Sequence, residues 1–161
     1  MGEFMAECSA RDRRTAAVAQ VLAGVSGLVV VAIVGLMVYE AVVQLTAEPD
    51  PDKVDFRVVT AAFLLIMATI SGVIGGLHLV GLALLRARNR RGRGLVILAA
   101  PMGMVAAFLF SGEALLVGLA LVALFTATLI AVALPGTKRW LLAKPPVPEP
   151  AWPAEPQQPA A

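Results

Sequence analysis

Charged residues are scarce in this chain of 161 residues, and reactive side chains are scarcer still. Asp, Glu, Lys and Arg together make up 15% of the chain, whereas soluble domains are about one quarter charged. Hydrophobic residues make up 59%, and the mean hydropathy is +0.84. This composition argues against an ordinary soluble domain and is typical of an integral membrane protein.

Cysteine is nearly absent as well, since Cys8 is the only one. A single cysteine excludes an internal disulfide framework and a zinc site built from cysteines. No hydrophobic segment precedes Cys8 in this sequence, so we do not expect a lipoprotein cysteine. We expect an inert thiol rather than an acylated or redox-active one. Residues 1–14 are predicted to form a cytoplasmic N-terminal tail, in which residues 1–4 resemble vector-encoded sequence.

Sequence motifs of catalysis and cofactor binding are also missing. The chain has no Walker motif, no GxSxG, no HExxH and no CxxC, and its apolar runs hold no paired carboxylates. His78 is the only histidine, and no cysteine or carboxylate within a span lies near it in sequence, which disfavours a metal or haem site. We therefore expect no enzymatic activity, no cofactor and no bound metal.

Four long apolar runs dominate what the chain does contain. Each approaches the roughly 20 residues that a transmembrane helix needs, and none alternates like a membrane β-strand. The prediction is an all-α integral membrane protein whose four-transmembrane-helix bundle occupies residues 15–140. The spans are predicted at about residues 16–40, 58–85, 95–110 and 114–134. The first run is too long for a cleaved signal peptide, so it is expected to remain as an anchor.

Charges between the runs alternate in sign along the chain. Arg11, Arg13 and Arg14 precede the first span, and the second connection and the segment after the fourth span are also basic. The first connection, residues 47–57, is acidic, and the third has no positive charge. Basic segments are retained in the cytoplasm, so N-in and C-in topology is predicted. The preference for Arg over Lys, with abundant Ala, Val, Gly and Pro, indicates a bacterial protein of the plasma (inner) membrane.

The second connection, RARNRRGRG at residues 86–94, contains five arginines. It is expected to be a cytoplasmic loop that Gly92 and Gly94 keep supple. Nucleic-acid binding would require a longer basic surface or interleaved aromatic residues, so no nucleic-acid partner is predicted. Contact with anionic lipid headgroups is predicted instead, through Arg86, Arg88, Arg90, Arg91 and Arg93.

Small residues are concentrated on the second span, which is therefore predicted to be the hub of the bundle. Two of them form a GxxxG motif, and a third lies four residues before it. The predicted helix-packing residues are Ala68, Ser71, Gly72, Gly75 and Gly76. The third span is short and contains Pro101, so a tight hairpin with the fourth span is also predicted.

A polar stripe is predicted on the same span, because at about 100° per residue Thr60, Ser71 and His78 point in one direction. His78 is the only titratable group inside a span, and both a packing role and a proton or ligand role remain open for it. Glu40, near the outer end of the first span, is a further candidate polar site. The outer acidic residues form either a solvated surface or a weak divalent-cation site.

The final segment, residues 141–161, is predicted to be a disordered, proline-rich cytoplasmic tail with polyproline II character. Pro150, Pro153, Pro156 and Pro159 recur at every third position, which places them on one edge of such a helix. Two interpretations remain open for the tail: a docking strip for an aromatic groove, or a solvated segment.

Small-residue faces without catalytic motifs favour a non-enzymatic accessory or scaffold subunit. Such a subunit would pack against a membrane protein partner or against further copies of itself. The alternative function is a small oligomeric transporter or channel that uses the polar stripe of the second span. Membrane lipids, including those with anionic headgroups, are the other expected partners.

Overall fold

The computed structural model describes residues 9–48, 55–110 and 115–143, with only the backbone described at positions 109 and 110. These residues form five α-helices and no strand. The helices are α1 (Ala10–Thr46), α2 (Arg57–Arg86), α3 (Arg90–Phe110), α4 (Leu115–Ala133) and α5 (Pro135–Leu142). The first four are long and apolar enough to cross a membrane, so the prediction of an all-α fold with four candidate spans is confirmed.

Both α1 and α3 begin earlier than the predicted spans. The N-cap of α1 is Ser9, whose hydroxyl oxygen accepts a hydrogen bond from the Asp12 amide at 3.1 Å. At about 1.5 Å per residue, the 37 residues of α1 extend well beyond the hydrocarbon core. Helix α3 contains 21 residues where about 16 were predicted, because it starts at Arg90.

A tight turn joins α2 to α3. Arg88 adopts a left-handed conformation with φ of 53°, and the amides of Arg88 and Asn89 bond back to the carbonyl oxygens of Leu85 and Leu84. The Asn89 side chain then accepts a hydrogen bond from the Arg91 amide at 3.0 Å and caps α3. The prediction of a flexible loop here is wrong, because the connection is a tight turn that leads into the capped start of α3.

Gly92 and Gly81 allow the backbones of α3 and α2 to touch. A β-carbon on Gly92 would lie 2.6 Å from the Leu85 amide nitrogen and 2.7 Å from the Gly81 carbonyl oxygen. On the other helix, a β-carbon on Gly81 would lie 2.5 Å from a methyl group of Val96. Gly92 is therefore required for close packing rather than for flexibility.

The helices form a closed ring in which sequential helices are neighbours and α4 packs against α1. The core between them consists mostly of small side chains, and Phe125 is its largest fully buried residue. A β-carbon on Gly103 of α3 would lie 2.7 Å from the phenyl group of Phe125, so this phenyl group occupies the space that the glycine leaves. One cluster of the core consists of Ala19, Ala23, Leu85, Val96, Ala131, Val132 and Leu141.

Three basic segments meet at one end of the ring: the start of α1, the α2–α3 turn and α5. We call this the basic end. Arg139 of α5 lies 3.4 Å from Asp12 of α1, and the guanidinium of Arg88 lies 4.9 Å above the Trp140 ring. Helix α5 was not predicted, and it continues through Leu142, although the predicted tail begins at residue 141. Residues 144–161, which form most of that tail, lie outside the described residues.

Candidate functional site

His78 is fully buried inside the ring of helices. Its Nδ1 lies 3.0 Å from the carbonyl oxygen of Ile74, and because a carbonyl only accepts, Nδ1 carries the proton. The Nε2 atom therefore presents a lone pair, for which no hydrogen-bond partner exists in the described part of the chain. The imidazole is tilted against Phe125, with ring centroids 5.5 Å apart.

A buried hydroxyl pair links α1 to α4. The Oγ of Ser26 and the Oγ1 of Thr128 lie 2.9 Å apart, and both residues are fully buried. Thr128 donates its proton to the carbonyl oxygen of Leu124, so Ser26 is the donor to Thr128. Within residues 9–48, 55–110 and 115–143, no group of three His, Cys, Asp or Glu side chains could hold a metal ion.

A cavity of about 60 Å³ lies beside this core, between the four long helices. Ser71 contributes the only polar side chain to its lining, whereas Ile74, Phe125 and other apolar residues form the rest. His78 is not part of the lining. Water requires several polar partners, so a cavity with one hydroxyl favours a dry interior over an ion pathway.

The predicted small residues of α2 point in different directions. Ala68, Ser71 and Gly75 are buried, and a β-carbon on Gly75 would lie 2.9 Å from a methyl group of Val30 in α1. Gly72 is exposed and Gly76 is partly exposed, and a β-carbon on either would meet no atom within 4 Å. The GxxxG glycines therefore belong to the outer surface of the ring.

The other predicted polar residues lie apart from His78. Thr60, at the start of α2, is exposed. Glu40 is also exposed, and its carboxylate accepts a hydrogen bond from the Gln44 side chain at 2.8 Å. Of the predicted polar stripe, Ser71 and His78 are therefore buried in the interior, whereas Thr60 is not.

Part of the acidic first connection is visible at the start of α2. Asp55 accepts hydrogen bonds from the side chain and the amide of Arg57, which lower the pKa of Asp55 to about 2. Residues 49–54, which contain the remaining acidic side chains of the connection except Glu48, lie outside the described residues. The divalent-cation site predicted among these acidic residues therefore lies largely outside the described residues.

The five arginines of the α2–α3 segment have different environments. Arg93 donates to the carbonyl oxygens of Val132 and Ala133, both at 3.0 Å, and so stabilises the carboxyl end of α4. Arg88 stacks on Trp140 and donates to the Ala143 carbonyl oxygen at 3.2 Å. The side chains of the remaining three are exposed: Arg86, Arg90 and Arg91. The roles of Arg88 and Arg93 depend on α5 and α4 contacts that sequence spacing does not encode.

No family model, curated protein or solved structure matches this chain. Function is therefore inferred from the geometry of its own residues. Two surfaces offer candidates: the outward glycine face of α2, which we define as Gly72 and Gly76, and the basic end.

Proposed function

We propose that this chain is a non-enzymatic accessory or scaffold protein that packs through the outward glycine face of α2. Its partner is another membrane protein or a second copy of the chain. The observation that supports this function is the empty space outside Gly72 and Gly76, where a β-carbon would meet nothing within 4 Å. Lipid provides no hydrophobic drive for helix association, so helices associate partly through the van der Waals packing that small residues allow when backbones approach closely.

The buried glycines illustrate what the outward glycine face could do. At five interior positions a β-carbon would lie under 3.0 Å from a side chain of the neighbouring helix. These positions are Gly27, Gly75, Gly81, Gly92 and Gly103. Gly72 and Gly76 offer the same kind of recess without a neighbour, and a large side chain from another helix would fit there.

We further propose that the basic end faces the cytoplasm of a bacterial cell, with N-in and C-in topology in the plasma membrane. The positive-inside rule supports this orientation, because the basic segments at the start of α1, around the α2–α3 turn and in α5 share one end. Anionic headgroups of the inner leaflet would then lie close to the exposed arginines Arg86, Arg90 and Arg91. Nucleic acid is not among the proposed partners.

Replacement of both outward glycines tests the proposed function. The double substitution Gly72→Leu/Gly76→Leu fills the space outside α2. The β-carbons at both positions would meet no neighbouring helix within 4 Å, so the ring of helices is expected to fold normally. Association should weaken by about 1–2 kcal/mol, or roughly 5- to 30-fold. Energy transfer between copies labelled at Cys8 in vesicles measures self-association, and cross-linking in cell membranes measures association with a partner.

The matched control is Ala123→Leu/Ala127→Leu, which enlarges two exposed small residues at the same spacing on α4. This control should retain the energy transfer or the cross-linked complex that the glycine variant loses. A wild-type protein that is monomeric in vesicles and forms no cross-linked complex would contradict the proposal. Equal losses in the two variants would also contradict it, because the effect would then not depend on the outward glycine face.

A small oligomeric transporter or channel is the second candidate function, and the lone pair of His78 favours it. A buried imidazole without a partner at Nε2 can accept a proton or a ligand group. Proton flux into vesicles that His78→Ala abolishes would select this alternative. Flux that His78→Ala leaves unchanged would remove His78 from the transport function.

A further inference from the structure

A second cavity, of about 350 Å³, opens at the basic end between the first turns of α3 and helix α5. Three cationic side chains line it: Arg90, Arg93 and Lys138. Its remaining wall is apolar and includes Ile97 and Leu142. The cavity thus combines positive charge with a hydrophobic surface in the region where α3 leaves the predicted membrane span.

The positive charge of this cavity is not balanced within the described residues. Asp12 is the only described acidic residue at the basic end, and it is 6% exposed. Its carboxylate accepts a hydrogen bond from the Ser9 hydroxyl at 2.9 Å and pairs with Arg139. Arg90 and Lys138 therefore have no described carboxylate partner, and an anion from outside the chain would relieve their mutual repulsion.

Arg93 is held in a fixed position next to them. Its Nε and Nη2 atoms donate to the last carbonyl oxygens of α4 at 3.0 Å, which orients the guanidinium beside the cavity. Arg90 lies on α3 and Lys138 lies on α5, so an anion bound by both side chains would bridge two helices. Phosphate oxygens suit this arrangement, because they accept several charge-assisted hydrogen bonds at once.

We propose that this cavity binds the phosphate of an anionic phospholipid headgroup in the leaflet at the basic end. Free phosphate would use the same cations, but it would gain nothing from the apolar wall that Ile97 and Leu142 provide. A phospholipid can use both parts, with its phosphate at Arg90 and Lys138 and the start of an acyl chain against the wall. This site does not depend on the outward glycine face of α2, and the two proposals fail separately.

Lipid retention by the purified full-length chain tests the site. The delipidated protein in neutral detergent is titrated with phosphatidylglycerol or phosphatidylcholine, and bound lipid is counted by native mass spectrometry. The wild-type chain should bind one phosphatidylglycerol with a clear preference over phosphatidylcholine. The variant Arg90→Gln/Lys138→Gln should bind phosphatidylglycerol roughly tenfold more weakly or worse, since it loses charge-assisted hydrogen bonds to the phosphate.

The control Arg86→Gln/Arg91→Gln removes the same net charge from exposed positions at the same end. It should retain the bound lipid, whereas equal losses in both double variants would overturn the proposal in favour of diffuse surface attraction. Leu142→Gln separates the two phosphate sources: it should weaken binding of phosphatidylglycerol and leave binding of inorganic phosphate unchanged. Inorganic phosphate that binds the cavity as tightly as phosphatidylglycerol would also overturn the proposal.

Discussion

His78 shows how a single polar residue is accommodated among apolar helices. Its Nδ1 proton is directed to the Ile74 carbonyl oxygen of its own helix, which leaves only Nε2 without a described partner. Phe125 covers the ring from α4, and the residues that line the neighbouring cavity do not include His78. In the scaffold function, His78 is a packing residue whose neutral ring fills space.

Substitution of His78 distinguishes packing from chemistry. His78→Leu removes the unpartnered Nε2, whose burial costs about 1–3 kcal/mol, and retains most of the volume, so stability should equal or exceed that of the wild type. His78→Ala leaves a cavity and should lower stability by about 2–4 kcal/mol. Unfolding of the detergent-solubilised protein measures both. A large loss of stability in His78→Leu would indicate that Nε2 has a partner in the folded protein.

At the residue scale, the sequence shows which residues are polar or small, but it does not show for each of them whether it faces the interior of the ring of helices or its outer surface. Ser71 and His78 are buried, in the direction that the stripe predicts, because burying a hydroxyl and an imidazole in protein avoids contact with lipid. Gly72 and Gly76 lie outside, although Gly75 between them is buried. Glycine is compatible with both the protein interior and the outer surface. Which of the two it faces therefore follows from the helix arrangement and not from its own chemistry.

Helices α1 to α4 were predictable because their length and hydropathy leave no other structure in lipid. Their ends were less predictable. The arginines at 90, 91 and 93 suggest a loop, yet Asn89 caps α3 and the long arginine side chains extend toward solvent or toward α4 carbonyls. Helix α5 was not predicted because the sequence Pro135-Gly136 usually ends a helix. In the structure, Pro135 instead occupies the first turn of a new helix.

The contact between α2 and α3 leads to a prediction about two glycines in one helix. Gly92→Ala places a methyl group against backbone atoms of Leu85 and Gly81, which cannot move aside, and should lower stability by about 1–3 kcal/mol. Gly94→Ala meets no atom within 4 Å and should raise stability by about 0.5–1 kcal/mol, because alanine favours the helix.

Thermal unfolding in detergent, with circular dichroism as the signal, measures the stability of both alanine variants. The opposite signs are the informative feature, since the two substitutions are chemically identical and two residues apart. Similar effects at both positions would contradict the close approach of α2 and α3.

At the scale of the molecule, charge and packing agree about the two ends of the ring. The basic segments are distant in sequence, yet Asp12, Arg88 and Arg93 connect them through α5 and the end of α4. The opposite end contains exposed Glu40 and Glu48, and Arg57 there donates to the Ala47 carbonyl oxygen. The alternating charge of the connections predicted that basic and acidic segments lie at opposite ends. Each span carries the chain from one end to the other, so successive connections lie at alternate ends.

The surface that faces other molecules could not be predicted from the sequence. Residues 21–38 of α1 contain one polar residue, Ser26, and the exposed side chains of this stretch include Val21, Leu28 and Leu36. Lipid and a partner helix both accept such side chains, so hydrophobicity does not distinguish them. The helix arrangement is needed to show that Gly72 and Gly76 lie outside the ring and that Arg90 and Lys138 line one cavity.

The cytoplasmic placement of the basic end is the central claim about the whole molecule, and cysteine accessibility measures it directly. In a Cys8→Ser background, Glu48→Cys and Arg91→Cys each introduce one thiol at an exposed position, at opposite ends of the ring. An impermeant maleimide applied to intact bacterial cells should label Glu48→Cys at once and Arg91→Cys only after lysis. Labelling of Arg91→Cys from outside, or protection of Glu48→Cys until lysis, would contradict the account.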